Sequence, residues 1–300
     1  MMRILLISVA AWYAVYASEA CAQELEPFAY AQNPIGANFL VAGYGETWGD
    51  ILFDPSSPLS DVDASWHSVV FGYGHTFGMF GRSANFALIA PYAWGDARGT
   101  LEGERGEITR RGLADPRFRF GINLFGSPAL GLQEFSKSPP GTTVGVTFIV
   151  APPIGQYLED KLINIGSNRW SIKSEVGISH PVNKWRFDFA AGVWWFSDND
   201  EFLGDGLKKQ DAVATFQGHV IYSFRRQFWI AIDANWYRGG STTINGTGDG
   251  ALQSNSRVGI TGSYPIGNMQ SLKLAYSQGA ATRIGGDFKQ FTIAWQYTWF

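Results

Sequence analysis

Arg117 and Arg119 stand two residues apart, as do Lys173 and Glu175, Gln217 and His219, and Asp233 and Asn235. A spacing of two puts both members of a pair on one face of a β-strand. With Arg257 they make a set of polar side chains that extended segments would turn to one side. Facing a pore, such groups select solutes, because rings of fixed charge decide which ions are admitted. Facing one another, they pair with each other and with water and simply fill an interior. The residues themselves leave both uses open.

Other chemistries find less support. Ester hydrolysis needs a Ser nucleophile, a His base and an orienting group. The chain has His67, His75, His180 and His219, and only His67 has serines close by, Ser65 and Ser68. No hydrolase serine motif surrounds them, so no catalytic residue is assigned and no enzyme is expected. Gly72-Tyr73-Gly74 is strand texture rather than a phosphate loop, since no helix follows it. Glu46, Asp50, Asp54, Asp61 and Asp63 form an acidic stretch without Lys or Arg. Oxygen ligands suit Ca²⁺, but this spacing matches no EF-hand loop, and a solvated acidic loop is the simpler reading. Neither metal nor cofactor is expected. Arg98 to Arg111, rich in Arg and Glu, reads either as a constriction loop folded inward or as a mobile surface loop.

The elements that carry these residues follow from composition and pattern. Charged residues are 16% of the 300, against roughly 25% in soluble domains. Aromatics reach 15%, with 12 Trp, and Gly numbers 36. The net charge of −3 gives no basic footprint for nucleic acid. A single Cys excludes a disulfide framework. Arg3, the uncharged run from Ile4 to Ala17 and the small residues Ala20-Cys21-Ala22 make residues 1–22 a secretory signal peptide. Residues 23–36, with Pro27 and Pro34, follow as an N-terminal periplasmic segment, either a disordered tail or a plug for the lumen. Residues 37–300 are assigned to a transmembrane β-barrel.

Period-two alternation supports that assignment. Phe118, Phe120, Ile122 and Leu124 oppose Arg117, Arg119, Gly121 and Asn123. Trp170, Ile172, Val176 and Ile178 oppose Ser171, Lys173, Glu175 and Gly177. Twelve such runs are expected, near 37–46, 65–77, 84–94, 117–125, 142–151, 170–179, 185–195, 212–224, 228–237, 255–264, 270–279 and 288–299. Tight turns at Met79–Arg82, Pro181–Lys184, Arg225-Arg226 and Ile266–Asn268 alternate with longer loops. That is the asymmetry of outer-membrane barrels, short periplasmic turns and long outer loops. The exception is 126–141, which is long where a short turn is due; a short helix is expected there. Charge at mid-strand on one face argues against a soluble sandwich, whose inner faces would be apolar. On the other face Trp185, Trp195, Trp236, Tyr264, Trp295, Tyr297 and Trp299 read as an aromatic girdle at the lipid boundary.

Several motifs occur in order along nearly the whole chain: Pro34-Ile35-Gly36-Ala37-Asn38-Phe39-Leu40, Ile51-Leu52-Phe53-Asp54-Pro55, Leu113-Ala114-Asp115-Pro116-Arg117-Phe118, Asp160 through Trp170, Asp198-Asn199-Asp200, Gln217-Gly218-His219 and Asn255-Ser256-Arg257-Val258-Gly259. On these residues the chain resembles a family of bacterial outer-membrane proteins linked by name to the meta pathway of phenol degradation. The resemblance implies an outer-membrane transporter and supplies no agreed catalytic or binding residues.

The expectation is therefore an all-β, 12-stranded antiparallel barrel in the outer membrane of a Gram-negative bacterium. It would passively admit a small aromatic or hydrophobic compound, phenol-like by the resemblance. Inward Trp194, Phe196, Trp229 and Tyr237 offer it an apolar track. A plugged structural or adhesion-type barrel with partner-binding loops is the alternative, and a lipid hydrolase a more distant one. The expected partners are membrane lipid, the small solute, and an assembly machinery reading the last strand at Trp299.

Overall fold

A computed structural model describes residues 25–51, 59–101, 103–248, 252–283 and 287–300. The expected signal peptide, residues 1–22, lies outside these, as does Asp54. In chain order the elements are β1 (Asn38–Asp50), β2 (Leu59–Met79), β3 (Arg82–Leu101), β4 (Glu104–Leu113), β5 (Arg117–Phe125), α1 (Leu132–Phe135), β6 (Thr143–Ala151), β7 (Ser171–Val182) and β8 (Trp185–Phe196). Then come β9 (Asn199–Phe202), β10 (Gly206–Gln210), β11 (Val213–Arg225), β12 (Phe228–Gly239), β13 (Thr242–Ile244), β14 (Gln253–Gly267), β15 (Gln270–Ala281) and β16 (Asp287–Trp299).

β1 pairs with β2 on one side and with β16 on the other, which joins the first strand to the last. Each remaining wall strand pairs antiparallel with its neighbours, so the sheet closes on itself. Closure removes the sheet edges whose unpaired N–H and C=O groups lipid could not satisfy. β4 and β5 are one wall strand interrupted at Ala114-Asp115-Pro116; β3 pairs with β4 along its outer part and with β5 along its inner part. The closed wall therefore has twelve strand positions, and every expected run lies in one of them. β9, β10 and β13 form a separate three-stranded sheet built from outer loops.

The side chains are inverted relative to a water-soluble domain. Phe71, Phe189 and Ile232 stand outside, 62%, 57% and 67% exposed, while Arg119, Asp233 and Arg257 are buried. Water would penalise that arrangement and lipid rewards it. No helix is long and apolar enough to cross a membrane among the described residues.

The turns set the orientation. Phe80 and Gly81 both have left-handed φ, 52° and 72°. A two-residue connection of that kind matches the twist of its flanking strands. Asn183, Gln227 and Met269 take positive φ at the other tight turns. The 126–141 connection lies at the same end: Ala129 N–H donates to Gly81 O (3.1 Å) and Ser83 N–H to Ser127 O (3.0 Å). It contains α1. By the asymmetry of such barrels this is the periplasmic end.

Residues 98–101 and 103–111 correct the expectation of a constriction loop or mobile loop. They form an extended hairpin, with Arg98 paired opposite Glu107 and Gly99 opposite Gly106. Beyond the membrane both faces of a strand meet water, so the hydrophobic alternation that marks a strand disappears while the ladder of hydrogen bonds continues.

Candidate functional site

Residues 25–37 run into the barrel from the periplasmic end, so the segment expected as periplasmic is a plug from Leu25 onward. A turn at 27–30 holds it compact, with Ala31 N–H donating to Phe28 O (3.0 Å). Glu26 meets Arg119 of β5, Oε2 to Nη1 at 2.5 Å. The Phe28 N–H donates to Asp188 Oδ2 on β8 (2.8 Å), and the Phe28 ring packs on Trp229 of β12 with centroids 5.0 Å apart. The Tyr30 hydroxyl donates to Glu175 Oε1 on β7 (2.8 Å), and Thr143 donates to Tyr30 O. The exit is fixed as firmly: Thr76 Oγ1 donates to Pro34 O (2.7 Å), and Gly36 N–H donates to Thr76 O (2.7 Å).

Glycine on the wall makes the socket. A Cβ at Gly177 would stand 2.0 Å from Tyr30 Cε2, and one at Gly145 would stand 2.9 Å from Tyr30 Cδ1. Only a wall without side chains at those two points admits the ring.

The nine polar residues singled out from sequence are all buried on the inner face. Four of them gather on the plug. Lys173 Nζ lies 2.7 Å from Glu175 Oε2, Gln217 Nε2 donates to the same oxygen (3.0 Å), and Arg119 also donates to Thr147 Oγ1 (3.2 Å). A second group joins His219 Nδ1 to Asp233 Oδ1 (2.7 Å), with Thr261 Oγ1 donating to Asp233 Oδ2 (2.5 Å). Arg257 stands apart, donating to Phe288 O (3.1 Å) and Ser277 Oγ (3.0 Å) and stacking 3.8 Å over the Phe288 ring. Asn235 sits opposite both Gln217 and Arg257 in register, and Arg117 is buried above Arg119 on β5.

Glu26, Phe28 and Tyr30 belong to this site and were not assigned to it from sequence; Arg186 and Asp188 were not among the lumen candidates, and Trp229 was expected only as part of an apolar track. The usable signal was Glu26-Pro27-Phe28-Ala29-Tyr30, a carboxylate and two aromatics in a segment with no strand pattern. Arg186 lies 5.2 Å from the Phe28 ring and donates to Ser179 Oγ (2.6 Å).

The charges are distributed unevenly around the lumen. Arg117, Arg119, Lys173, Glu175, Arg186, Asp188, His219, Asp233, Arg257 and Lys273 all stand on the arc from β5 to β15. The inner faces of Phe39–Gly45, Trp66–Thr76, Ser83–Ala93 and Phe288–Thr298 carry none. There Val41, Val70, Ile89 and Ala294 pack as one apolar seam across β1, β2, β3 and β16. Of the expected track, Trp194 and Tyr237 pack with Ile149 and Val213 in a separate cluster, with Phe196 against it, and Trp229 packs on the plug.

The outer mouth is covered as well. Asp115, at the break between β4 and β5, accepts from Gly155 N–H (2.7 Å), Ser167 N–H (2.8 Å) and Ser167 Oγ (2.7 Å). This folds the 152–170 loop inward, where Ile163 and Ile165 pack with Trp66, Ala97 and Phe288.

All seven girdle aromatics face outward. Trp185 and Tyr264 lie towards the periplasmic turns, Trp195 and Trp236 towards the outer loops, and Trp295, Tyr297 and Trp299 stack in a row along β16. His67 also faces outward, bonded through Nδ1 to the Tyr44 hydroxyl (2.8 Å) and stacked on Trp94. It turns away from the lumen.

A family model matches residues 45–295. The chain belongs to the family described as the MetA-pathway of phenol degradation. The COG4313 outer membrane channel from Pseudomonas putida F1 is similar in structure, with TM-score 0.75 at 20% identity over 92% of this chain and 100% of that one. The β domain of the Bordetella autotransporter BrkA gives TM-score 0.48 at 9% identity, over 88% of this chain and 99% of that one. The monoaromatic hydrocarbon channel CymD gives 0.46 at 10% identity, over 88% of each chain. No curated protein matches the chain in sequence.

In this member of the phenol-degradation family several of the motifs quoted from sequence fasten the plug and the outer loop. Pro34-Ile35-Gly36 locks onto Thr76 and Leu130. Asp115 and Ser167 tie the outer loop, and Asn199 accepts from Asn168 (3.0 Å) and donates to Tyr157 (3.0 Å). Gln217 and His219 are nodes of the lumen network, and Arg257 is fixed apart from them on Phe288 and Ser277.

Proposed function

We propose that the protein is a passive conduit in the outer membrane of a Gram-negative bacterium, admitting a small aromatic or otherwise apolar compound without chemical change. The observation that carries this is the uneven lumen: among the described residues the inner-wall charges lie on the arc from β5 to β15, and an apolar seam runs along β16, β1, β2 and β3. A charged solute must displace bonds such as Glu175–Lys173 and Glu26–Arg119. An apolar solute passing between Val41, Val70 and Ile89 exchanges one set of apolar contacts for another, at little cost. The family name agrees with an aromatic compound. A plugged barrel whose outer loops bind a partner also suits the filled lumen.

Uptake of a radiolabelled small aromatic by cells expressing the protein tests the proposal. Val70→Asp and Ala294→Asp, with folding verified by a heat-shifted gel band, should cut protein-dependent uptake at least tenfold. Asn235→Asp, on the charged arc, should leave it near the original level. Uptake equal in all variants and in cells lacking the protein would favour the plugged, partner-binding barrel.

The last strand offers Trp299 in phase with Tyr297, Trp295, Ile293 and Phe291, followed by Phe300. In our reading the assembly machinery engages that strand through Trp299.

A further inference from the structure

The side chain of Tyr30 is a phenol, and the wall provides a receptacle shaped to it. Gly145 of β6 and Gly177 of β7 stand opposite each other in register, and the Tyr30 ring lies against both. The next lumen-facing pair towards the outer mouth is Thr147 and Glu175. Glu175 Oε1 accepts from the Tyr30 hydroxyl (2.8 Å), and Thr147 adds a hydrogen bond to the same oxygen. A phenol oxygen can give one hydrogen bond and accept another, and these two wall residues meet both needs.

The polar end of the receptacle is held by other wall residues. Glu175 Oε2 is 2.7 Å from Lys173 Nζ and accepts from Gln217 Nε2 (3.0 Å), while Thr147 Oγ1 accepts from Arg119 (3.2 Å). Strand pairing fixes the two glycines. Groups already held in place bind a ligand with little further ordering cost. A flat ring with one hydroxyl would find the same partners that Tyr30 finds.

We propose that this receptacle is a phenol-binding site, which a phenolic solute enters in competition with Tyr30. The ring of the solute would lie on Gly145 and Gly177, and its hydroxyl would donate to Glu175 and accept from Thr147. A substituent para to the hydroxyl would stand where the Tyr30 Cβ now stands. The inference narrows the solute of the conduit reading to a phenol with a free hydroxyl. It rests on that reading for its purpose, while the binding itself does not require flux.

Tyr30 and the solute exclude each other, so the solute binds only molecules whose ring has left the socket. It therefore shifts the plug towards release, and its apparent affinity falls with the fraction of empty sockets. Removing the Tyr30 ring must strengthen binding. A ligand without the O–H leaves Glu175 Oε1 without its donor, and a site built for a hydroxyl rejects such an analogue.

The test is equilibrium binding to the full protein in nanodiscs, with empty nanodiscs subtracted and folding verified by a heat-shifted gel band. The probes are 4-methylphenol, which is the tyrosine side chain itself, and 4-methylanisole, in which a methyl group replaces the hydroxyl proton. We expect saturable, one-to-one binding of 4-methylphenol to the unaltered protein, and binding at least tenfold tighter to Tyr30→Ala. In both proteins 4-methylanisole should bind at least tenfold more weakly. Gly177→Ala added to Tyr30→Ala, where the methyl group has room to fold, should abolish binding of 4-methylphenol. Equal affinity for the two probes, binding that Tyr30→Ala leaves unchanged or that survives Gly177→Ala, or binding to Tyr30→Ala alone would each overturn the proposal. So would the absence of saturable binding. The expected pattern in a protein that fails the uptake test would sustain the socket and remove the conduit reading. Uptake without such binding would do the reverse.

Discussion

Arg119 Nη1 stands 2.5 Å from Glu26 Oε2, and both side chains are withdrawn from solvent. One residue belongs to the wall and the other to the segment that precedes the first strand, 93 positions earlier. The contact makes a segment that precedes the first strand part of the barrel interior.

That pair should be energetically coupled. Removing one partner of a buried ion pair costs about 3–5 kcal/mol, because the other charge stays in a poorly solvated place. Glu26→Ala and Arg119→Ala should each lower the free energy of unfolding in detergent. The double variant should lose less than the two losses together, by about 0.5–3 kcal/mol. Strict additivity would show that the pair does not hold the plug.

Gly177 and Tyr30 make a steric test. The 2.0 Å approach of a Cβ at Gly177 to the Tyr30 ring leaves no room for even a methyl group. Gly177→Ala should expel the ring, leave the strand pairing intact and raise ion conductance severalfold. Adding Tyr30→Ala should restore packing around the methyl group, judged by recovered thermal stability. A Gly177→Ala protein with unchanged conductance and unchanged stability would contradict the socket.

Asp115 carries the outer closure. Its carboxylate accepts three hydrogen bonds from Gly155 and Ser167. A hydrogen bond to a charged group contributes roughly 1.5–3 kcal/mol. Asp115→Ala should therefore release the 152–170 loop locally. Amide hydrogen exchange at 155–167 should rise by at least tenfold while exchange in β6 and β7 stays slow. Uniform exchange in both proteins would show that the loop is held by Ile163 and Ile165 alone.

The wall was legible in sequence because lipid and lumen impose opposite demands on alternate residues. That alternation located all twelve strand positions, the inward-facing residues from Arg117 to Arg257 and the outward-facing aromatics from Trp185 to Trp299. It failed where both faces meet the same medium. The paired strand ends at 98–101 and 104–111 project beyond the membrane, so they carry charge on both sides and looked like a loop. The plug was illegible for another reason. Glu26, Phe28 and Tyr30 adopt no periodic structure, and their partners Arg119, Asp188 and Glu175 lie between 93 and 160 positions away. Such contacts are set by barrel closure, which no local pattern records. The uneven lumen was present in the sequence as the missing inward charge on β1, β2, β3 and β16, and its meaning became apparent only once those strands were seen to adjoin.

The central claim is that the lumen is a channel held shut from within by residues 25–37. Single-channel conductance in planar bilayers tests it most directly, comparing the Asp115→Ala protein, whose outer loop is released, with the same protein also carrying Glu26→Ala, Phe28→Ala and Tyr30→Ala. The account predicts little or no steady conductance for the first and a stable conductance at least severalfold larger for the second. A large steady conductance from the first, or none from a correctly folded second, would contradict it.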